Sequence, residues 1–357
     1  MRKILKLRDI STFKIGEKKI FLFLPKNVGE LINYINKYKS NNYFFFGHGS
    51  NVLFDENIDK VIISSSFMNK LNYEKNDLIV GAGIHSSFLA VLSFILNIEG
   101  YDFLHLLPGS IGGAVYMNAR CYESEISNIN LEIESIEIRK NNQKYEIFFK
   151  KRLTKDCNFS YKKSIFQNNG ELIFRVRFKD FFKDDNQKKI FELIKDDLNI
   201  YFIKKISGFP KLTNLKKFYK VYKLKRILKF VDKEIKKKKI ENCQNLKIFI
   251  DKRAKIYENL SKIENDRVLK KHFKYKSCGS VFKNNYSFGV PIGKLVDDLG
   301  LKGYKINGVS VSPFHGNIII NYKNGRIEDY IKLKEFIKEK IRDKYGFIPE
   351  EEVIIVK

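Results

Sequence analysis

Two glycine-rich stretches carry the first chemical signal in this chain. Gly47-His48-Gly49-Ser50-Asn51 follows an apolar run and continues into Val52-Leu53. Pro108-Gly109-Ser110-Ile111-Gly112-Gly113 comes later and leads into Ala114-Val115-Tyr116-Met117-Asn118-Ala119. Glycines let backbone N–H groups approach a phosphate closely, and Ser50 and Asn51 add side-chain donors. Each loop alone reads equally well as a tight structural turn, and the first lacks the ordinary dinucleotide fingerprint. Together they point to one extended ligand with a phosphate centre, of which FAD is an example. His48 is expected as an exposed loop side chain rather than a catalytic group.

The elements that must position these loops can be read from hydropathy period. Tyr43 to Phe46 reads as a buried strand that delivers the chain into the first loop. Before it, Ile20 to Leu24 is an apolar run ending at Pro25, and Leu31, Ile32, Ile35 and Tyr38 recur at helical spacing. Val61 to Ile63 is another short strand. Leu78-Ile79-Val80 runs into Gly81-Ala82-Gly83, Phe88 to Leu96 reads as a buried helix, and Leu131 to Ile138 and Ile173 to Phe178 alternate as half-buried strands. From about 187 to 270 glycine almost vanishes and Lys236 to Lys239 form an unbroken basic run. Leu224, Ile227, Leu228, Val231 and Ile235 still recur there at helical spacing, which predicts one to three basic amphipathic helices. Beyond Tyr275 the rhythm is α+β, with a strand at Ile318 to Ile320, a helix from about Asp329 to Tyr345 and a last strand from Val353 to Val356.

At 357 residues, with 43% hydrophobic and 14% aromatic content, the chain has ample material for a folded core of two or three domains. Cys121, Cys157, Cys243 and Cys278 lie far apart, without the close pairs of a zinc site, so free thiols and no metal are expected. No long apolar stretch follows Met1-Arg2-Lys3, and none reaches the roughly 20 residues needed to span a bilayer. A cytoplasmic protein without a membrane span is therefore expected. The formal charge of +27 raises a nucleic-acid reading. Abundant Lys, Ile, Asn, Phe and Tyr with no Trp fits compositional bias instead, and a positive field equally favours an anionic small substrate.

The two loops, with Ser50-Asn51-Val52-Leu53 in the first and Pro108 through Asn118 in the second, closely resemble the FAD domain of the MurB reductases. Thr12-Phe13-Lys14-Ile15-Gly16 is similar to that family's opening. Phe159-Ser160-Tyr161-Lys162-Lys163-Ser164-Ile165-Phe166 resembles a family segment in which Arg usually follows the Tyr; here it is Lys162. Cys278-Gly279-Ser280-Val281-Phe282-Lys283-Asn284 resembles the segment with the proton-donating serine, which places that role on Ser280. Glu350-Glu351-Glu352-Val353 resembles the terminal acidic segment and places the catalytic glutamate at Glu352. The resemblance implies noncovalent FAD held by Gly47, Gly49, Ser50, Asn51, Val52, Pro108, Gly109, Ser110, Gly112, Gly113 and Asn118. It implies NADPH as hydride donor, a UDP-sugar substrate contacted by Tyr161, Lys283 and Asn284, and the family branch without an extra tyrosine-bearing substrate loop. A monomer is expected. Arg120 and Cys121 depart from the small residues common after Asn118-Ala119.

These readings predict an α+β flavoenzyme with a two-part FAD-binding domain of the vanillyl-alcohol-oxidase-like (PCMH-type) fold at 1–186, divided at about 70. A basic helical insertion at 187–270 and a substrate-binding domain with a catalytic tail at 271–357 complete it. The insertion finds no counterpart in the resemblance and reads as a tolerated surface elaboration. The rival readings are a related flavin oxidase with another substrate, and a basic protein that binds nucleic acid or acidic membrane through 203–276, where Phe218, Tyr219 and Tyr222 interleave with lysines.

Overall fold

The computed structural model describes residues 1–38, 42–141, 144–205, 209, 211, 213–238 and 253–357. Lys239, Cys243 and the side chain of Ile235 lie outside the described residues. Four consecutive aromatic residues favour an extended pleat, and Tyr43–Phe46 is a strand. It lies parallel to Val61–Ser64 in a four-stranded sheet that also contains Lys19–Phe23 and, on its edge, Arg2–Lys6. The amphipathic helix Val28–Tyr38 packs Leu31 and Ile35 against Phe23 and Ile63.

A five-stranded antiparallel sheet follows, in the order Lys144–Leu153, Leu131–Asn141, Leu172–Phe178, Asp77–Gly81, Leu71–Glu74. Period two does not reveal the outer strand Lys144–Leu153, because its lysines interrupt the apolar alternation. On an edge, those lysines discourage pairing with another chain. The helix Ser86–Leu96 is buried along its whole length, so it lacks the polar face of a surface helix.

The basic segment holds four α-helices among the described residues, Asp185–Leu198, Leu215–Tyr222, Leu224–Lys238 and Ala254–Leu269, more than the one to three expected. Nor is it a surface elaboration. Phe218, Tyr222, Ile227, Val231, Ile256 and Leu260 belong to the same core as Phe88, Leu92 and Ile133. Asn214 caps the second helix by accepting from Lys217 N at 2.9 Å. The guanidinium of Arg253 donates to Ile95 O at 3.2 and 3.0 Å, which ties the fourth helix to the buried one. Lysines occupy the outward faces while the apolar stripes make the core.

The last part of the chain forms the three-stranded sheet Lys305–Ile306, Val309–Ser312, His315–Asn321, flanked by the helices Ile292–Asp298 and Ile327–Tyr345. The opening segment is wedged into this region. Phe13 is fully buried there, edge-on to Tyr330 at 5.3 Å. Thr12 Oγ1 donates to Ser277 O at 2.6 Å, and Asn321 Nδ2 donates to the carbonyls of Phe13 and Lys14 at 3.0 Å. The final strand Ile354–Val356 pairs in parallel with Val52–Phe54, directly after the first glycine loop. The α+β class expected from sequence is the one found. Among the described residues no helix is long and apolar enough to cross a membrane.

Val356 is 3% exposed in the core that contains Leu7, Ile10 and Phe54. Val356→Ala removes two buried methyl groups from this junction and should lower unfolding stability by about 2 kcal/mol. Urea unfolding should show a lower midpoint at unchanged slope; an unchanged midpoint would mean that the terminal strand is not part of the cooperative fold.

Candidate active site

The two glycine loops meet. A β-carbon on Gly47 would stand 2.1 Å from Ser110 Oγ, so a larger residue there would displace that hydroxyl. Gly49 has φ of 68°, and a β-carbon there would strike Ile10 O at 2.0 Å. Ser110 caps the short helix Ile111–Tyr116 by accepting from Gly113 N at 3.2 Å. The amides of Ser50, Asn51, Gly109 and Ser110 donate to no acceptor among the described residues. Uncommitted N–H groups in adjoining loops form a concavity suited to anionic oxygens. Both loops line a cavity of about 620 Å³, within the range of a ligand site.

Residues far apart in sequence close this cavity. Lys162, Ser280 and Glu352 all line it. Lys162 Nζ and Glu352 Oε1 form an ion pair at 2.8 Å, with their side chains only 14% and 11% exposed. Lys162 has φ of 58° in a tight turn in which Ser160 and Lys163 exchange backbone hydrogen bonds at 3.2 and 3.0 Å. Gln167 Nε2 steadies that turn, donating to Lys162 O at 3.0 Å and Tyr116 O at 2.9 Å.

Glu352 is fixed from both sides. Its N–H donates to Val281 O at 2.8 Å, next to Ser280, and its carbonyl accepts from Asn51 Nδ2 at 2.9 Å. Ser280 bridges Ile318 of the three-stranded sheet. The cavity wall thus joins an ammonium, a carboxylate and a hydroxyl to the phosphate-type loops. Such a set can offset developing negative charge and deliver a proton.

The remaining sequence candidates divide by place. Tyr161 Oη accepts from Asn284 N at 3.3 Å, its ring edge meets Tyr286 at 4.8 Å, and burial pushes its hydroxyl pKa up. Lys283 pairs with Glu350 at 2.6 Å, and Asn284 Oδ1 accepts from Ile292 N at 3.1 Å. These three cluster beside the Lys162 turn but outside the cavity lining. Asn118 is fully buried and also outside that lining. Its Nδ2 donates to Glu125 Oε1 at 3.1 Å and Ser160 O at 3.0 Å, and its Oδ1 accepts from Ser127 N at 3.0 Å. Its geometry is that of a brace between the second loop and the segment carrying Lys162.

The comparisons with known proteins agree with this architecture. The family described as UDP-N-acetylenolpyruvoylglucosamine reductase, C-terminal domain, matches residues 271–356. A protein of Borrelia garinii named UDP-N-acetylenolpyruvoylglucosamine reductase is 30% identical over 98% of this chain and 91% of its own length. One of the same name from Treponema denticola is 31% identical over 98% of this chain and 91% of its own. The chain belongs to the UDP-N-acetylenolpyruvoylglucosamine reductase family. The crystal structure of the reductase (MurB) from Thermus caldophilus shares its fold, with a TM-score of 0.65 at 19% identity, covering 100% of this chain and 99% of that one. Because the spirochaete alignments take in 98% of the chain, they run through the helical segment that finds no counterpart in the sequence resemblance.

Several residues on the wall of this reductase-family cavity were not singled out by sequence. Gln167 follows the segment that carries Lys162, and Arg267 is lost among the cations of the helical segment. His48 is a correction. It is not exposed but 2% accessible, with Nε2 at 2.9 Å from Gly83 O and its ring 4.1 Å from that of His85. The loop folds inward because its glycines let it press against the chain at Ile10.

Burial pulls the pKa of His48 down from 6.5 to about 4. Below pH 6.5 the unfolded chain takes up a proton that the folded chain refuses. The contribution of His48 to stability is therefore present above 6.5 and is lost as the pH falls toward 4, by roughly 3 kcal/mol in all. Urea midpoints at pH 7 and 4.5 should fall further for the parent than for His48→Gln; parallel losses in both would show that His48 does not titrate in this window.

Proposed function

We propose that the protein reduces the enolpyruvyl group of UDP-N-acetylenolpyruvoylglucosamine to give UDP-N-acetylmuramate, a step in peptidoglycan precursor synthesis. The observation that carries this reading is the meeting of Lys162, Ser280 and Glu352 on a cavity bordered by both glycine loops. The relatives named for this reduction span nearly the whole chain.

The residues present fit FAD. The uncommitted amides of Ser50, Asn51, Gly109 and Ser110 suit its diphosphate, and the cavity is of ligand size. Cys278 is buried with its thiol pKa pushed up to about 11, and His48 is turned against Gly83 O, so neither is set to tether a flavin. When bound and reduced by NADPH, FAD supplies a hydride to the alkene carbon β to the substrate carboxylate.

The chain's own residues manage the charge and the proton. Negative charge develops on the substrate as an enolate, and the Lys162 ammonium offsets it. Glu352, held 2.8 Å from Lys162, fixes that ammonium in place and stabilises the enolic form of the substrate. Ser280 gives a proton to the α carbon; a serine is a weak acid, and the strongly basic enolate is what makes the transfer feasible. The low exposure of the ion pair strengthens these interactions by limiting solvent screening.

Ser280→Ala should leave flavin reduction by NADPH nearly intact while slowing reoxidation by substrate, since only the second half-reaction needs a proton at carbon. Stopped-flow absorbance separates the two, and equal slowing of both would contradict the assigned role. Lys162→Ala should lose at least about tenfold in reoxidation rate, a barrier of about 1.4 kcal/mol. Lys162→Arg, which keeps the charge, should retain much of it. A fully active Lys162→Ala protein would move the cation elsewhere, with Lys163 the first alternative.

A further inference from the structure

Arg267 sits in the last turn of the helix Ala254–Leu269, is 6% exposed and lines the cavity. Among the described residues, no carboxylate lies within ion-pair distance of it. Among those residues its side chain makes a single hydrogen bond, from Nη2 to Cys121 Sγ at 3.0 Å, and its Nε has no partner. A guanidinium has five N–H donors, and sulfur is a weak acceptor. The helix C-terminus favours a cation, yet that dipole cannot satisfy the remaining donors. Neighbouring acids are engaged elsewhere: Asp266 pairs with Lys270 at 2.7 Å, and Glu264 accepts from Leu224 N at 2.7 Å while facing His105 at 3.8 Å. A buried, uncompensated arginine is costly to the ligand-free protein.

We propose that Arg267 is an anion clamp, binding the phosphoryl oxygens of a diphosphate ligand in the cavity. This rests on the functional reading above, in which both the cofactor and the substrate carry a diphosphate. The clamp is delivered by the helical segment, which thereby becomes part of the working site. Its planar fork suits bidentate contact with phosphoryl oxygens, and the surrounding burial strengthens that contact. Cys121 Sγ holds the fork in place without competing strongly for its donors.

The test uses Arg267→Met, which keeps much of the volume and removes the charge, and Arg267→Lys, which keeps the charge without the fork. FAD binding to apoprotein is followed by flavin fluorescence, and UDP binding to FAD-loaded protein by calorimetry. Arg267→Met should weaken one of these affinities at least about tenfold, with Arg267→Lys in between. Loss confined to FAD assigns the clamp to the cofactor diphosphate, and loss confined to UDP assigns it to the substrate. The melting temperature of the Arg267→Met apoprotein should equal or exceed that of the parent, because an unpaired buried charge has been replaced by an apolar group. Unchanged affinities for both probes in either folded variant would overturn the clamp, as would a lowered melting temperature with unchanged affinities. Failure of the parent itself to bind FAD would instead overturn the functional reading. If Arg267→Met does not fold, Arg267→Lys and Arg267→Gln carry the affinity comparison.

Discussion

The parallel pairing of Ile354–Val356 with Val52–Phe54 is the constraint on which the site depends. It brings the last residues of the chain beside the first glycine loop, and its placement sets Glu352 between Asn51 and Val281. Without that pairing, Glu352 would be part of a solvated acidic tail. With it, a carboxylate is held rigidly at the junction of the phosphate-type loops and the segment of Ser280. The pairing is short, so its strength comes from what surrounds it: Val356 in one core, Val353 in another, and Asp55 N donating to Val356 O at 2.9 Å.

The opening segment repeats the same device in the opposite direction. Phe13, in the turn between the strands Arg2–Lys6 and Lys19–Phe23, fills the C-terminal core, and the Thr12 and Asn321 hydrogen bonds satisfy polar groups that burial would otherwise strand. First and last segments therefore cross, and the cavity lies where the crossing holds separate cores together. Precise placement of functional groups follows from attachment to such packed elements rather than to free loops.

Charge is managed differently inside and outside. The +27 formal charge is spread largely over exposed faces, where lysines pair locally or remain hydrated. Along the cavity wall the cations are few and individually placed: Lys162 against Glu352, Arg120 over the ring of Tyr286, and Arg267 against the sulfur of Cys121. The general positive field favours approach of an anionic ligand, while these placed groups define where its charge comes to rest.

The sequence by itself determined the local elements and the chemistry-bearing motifs. Tyr43–Phe46, the buried helix around Phe88 to Leu96 and the last strand were legible because hydropathy period records which face meets the core. The glycine loops were legible because close backbone approach demands that residue type. Tertiary structure alone decided which distant pieces meet. Lys162 and Glu352 are nearly the length of two domains apart in sequence, and no period encodes their 2.8 Å contact. His48 looked like an exposed loop residue because its burial comes from neighbours such as Gly83 and His85, outside its own segment. The helical segment looked dispensable because its lysines dominate composition, whereas its apolar stripe and Arg267 gain meaning only when packed against the buried helix and the cavity. Local pattern reports how a residue meets its own element; burial, pairing and the absence of a partner are properties of the assembled chain.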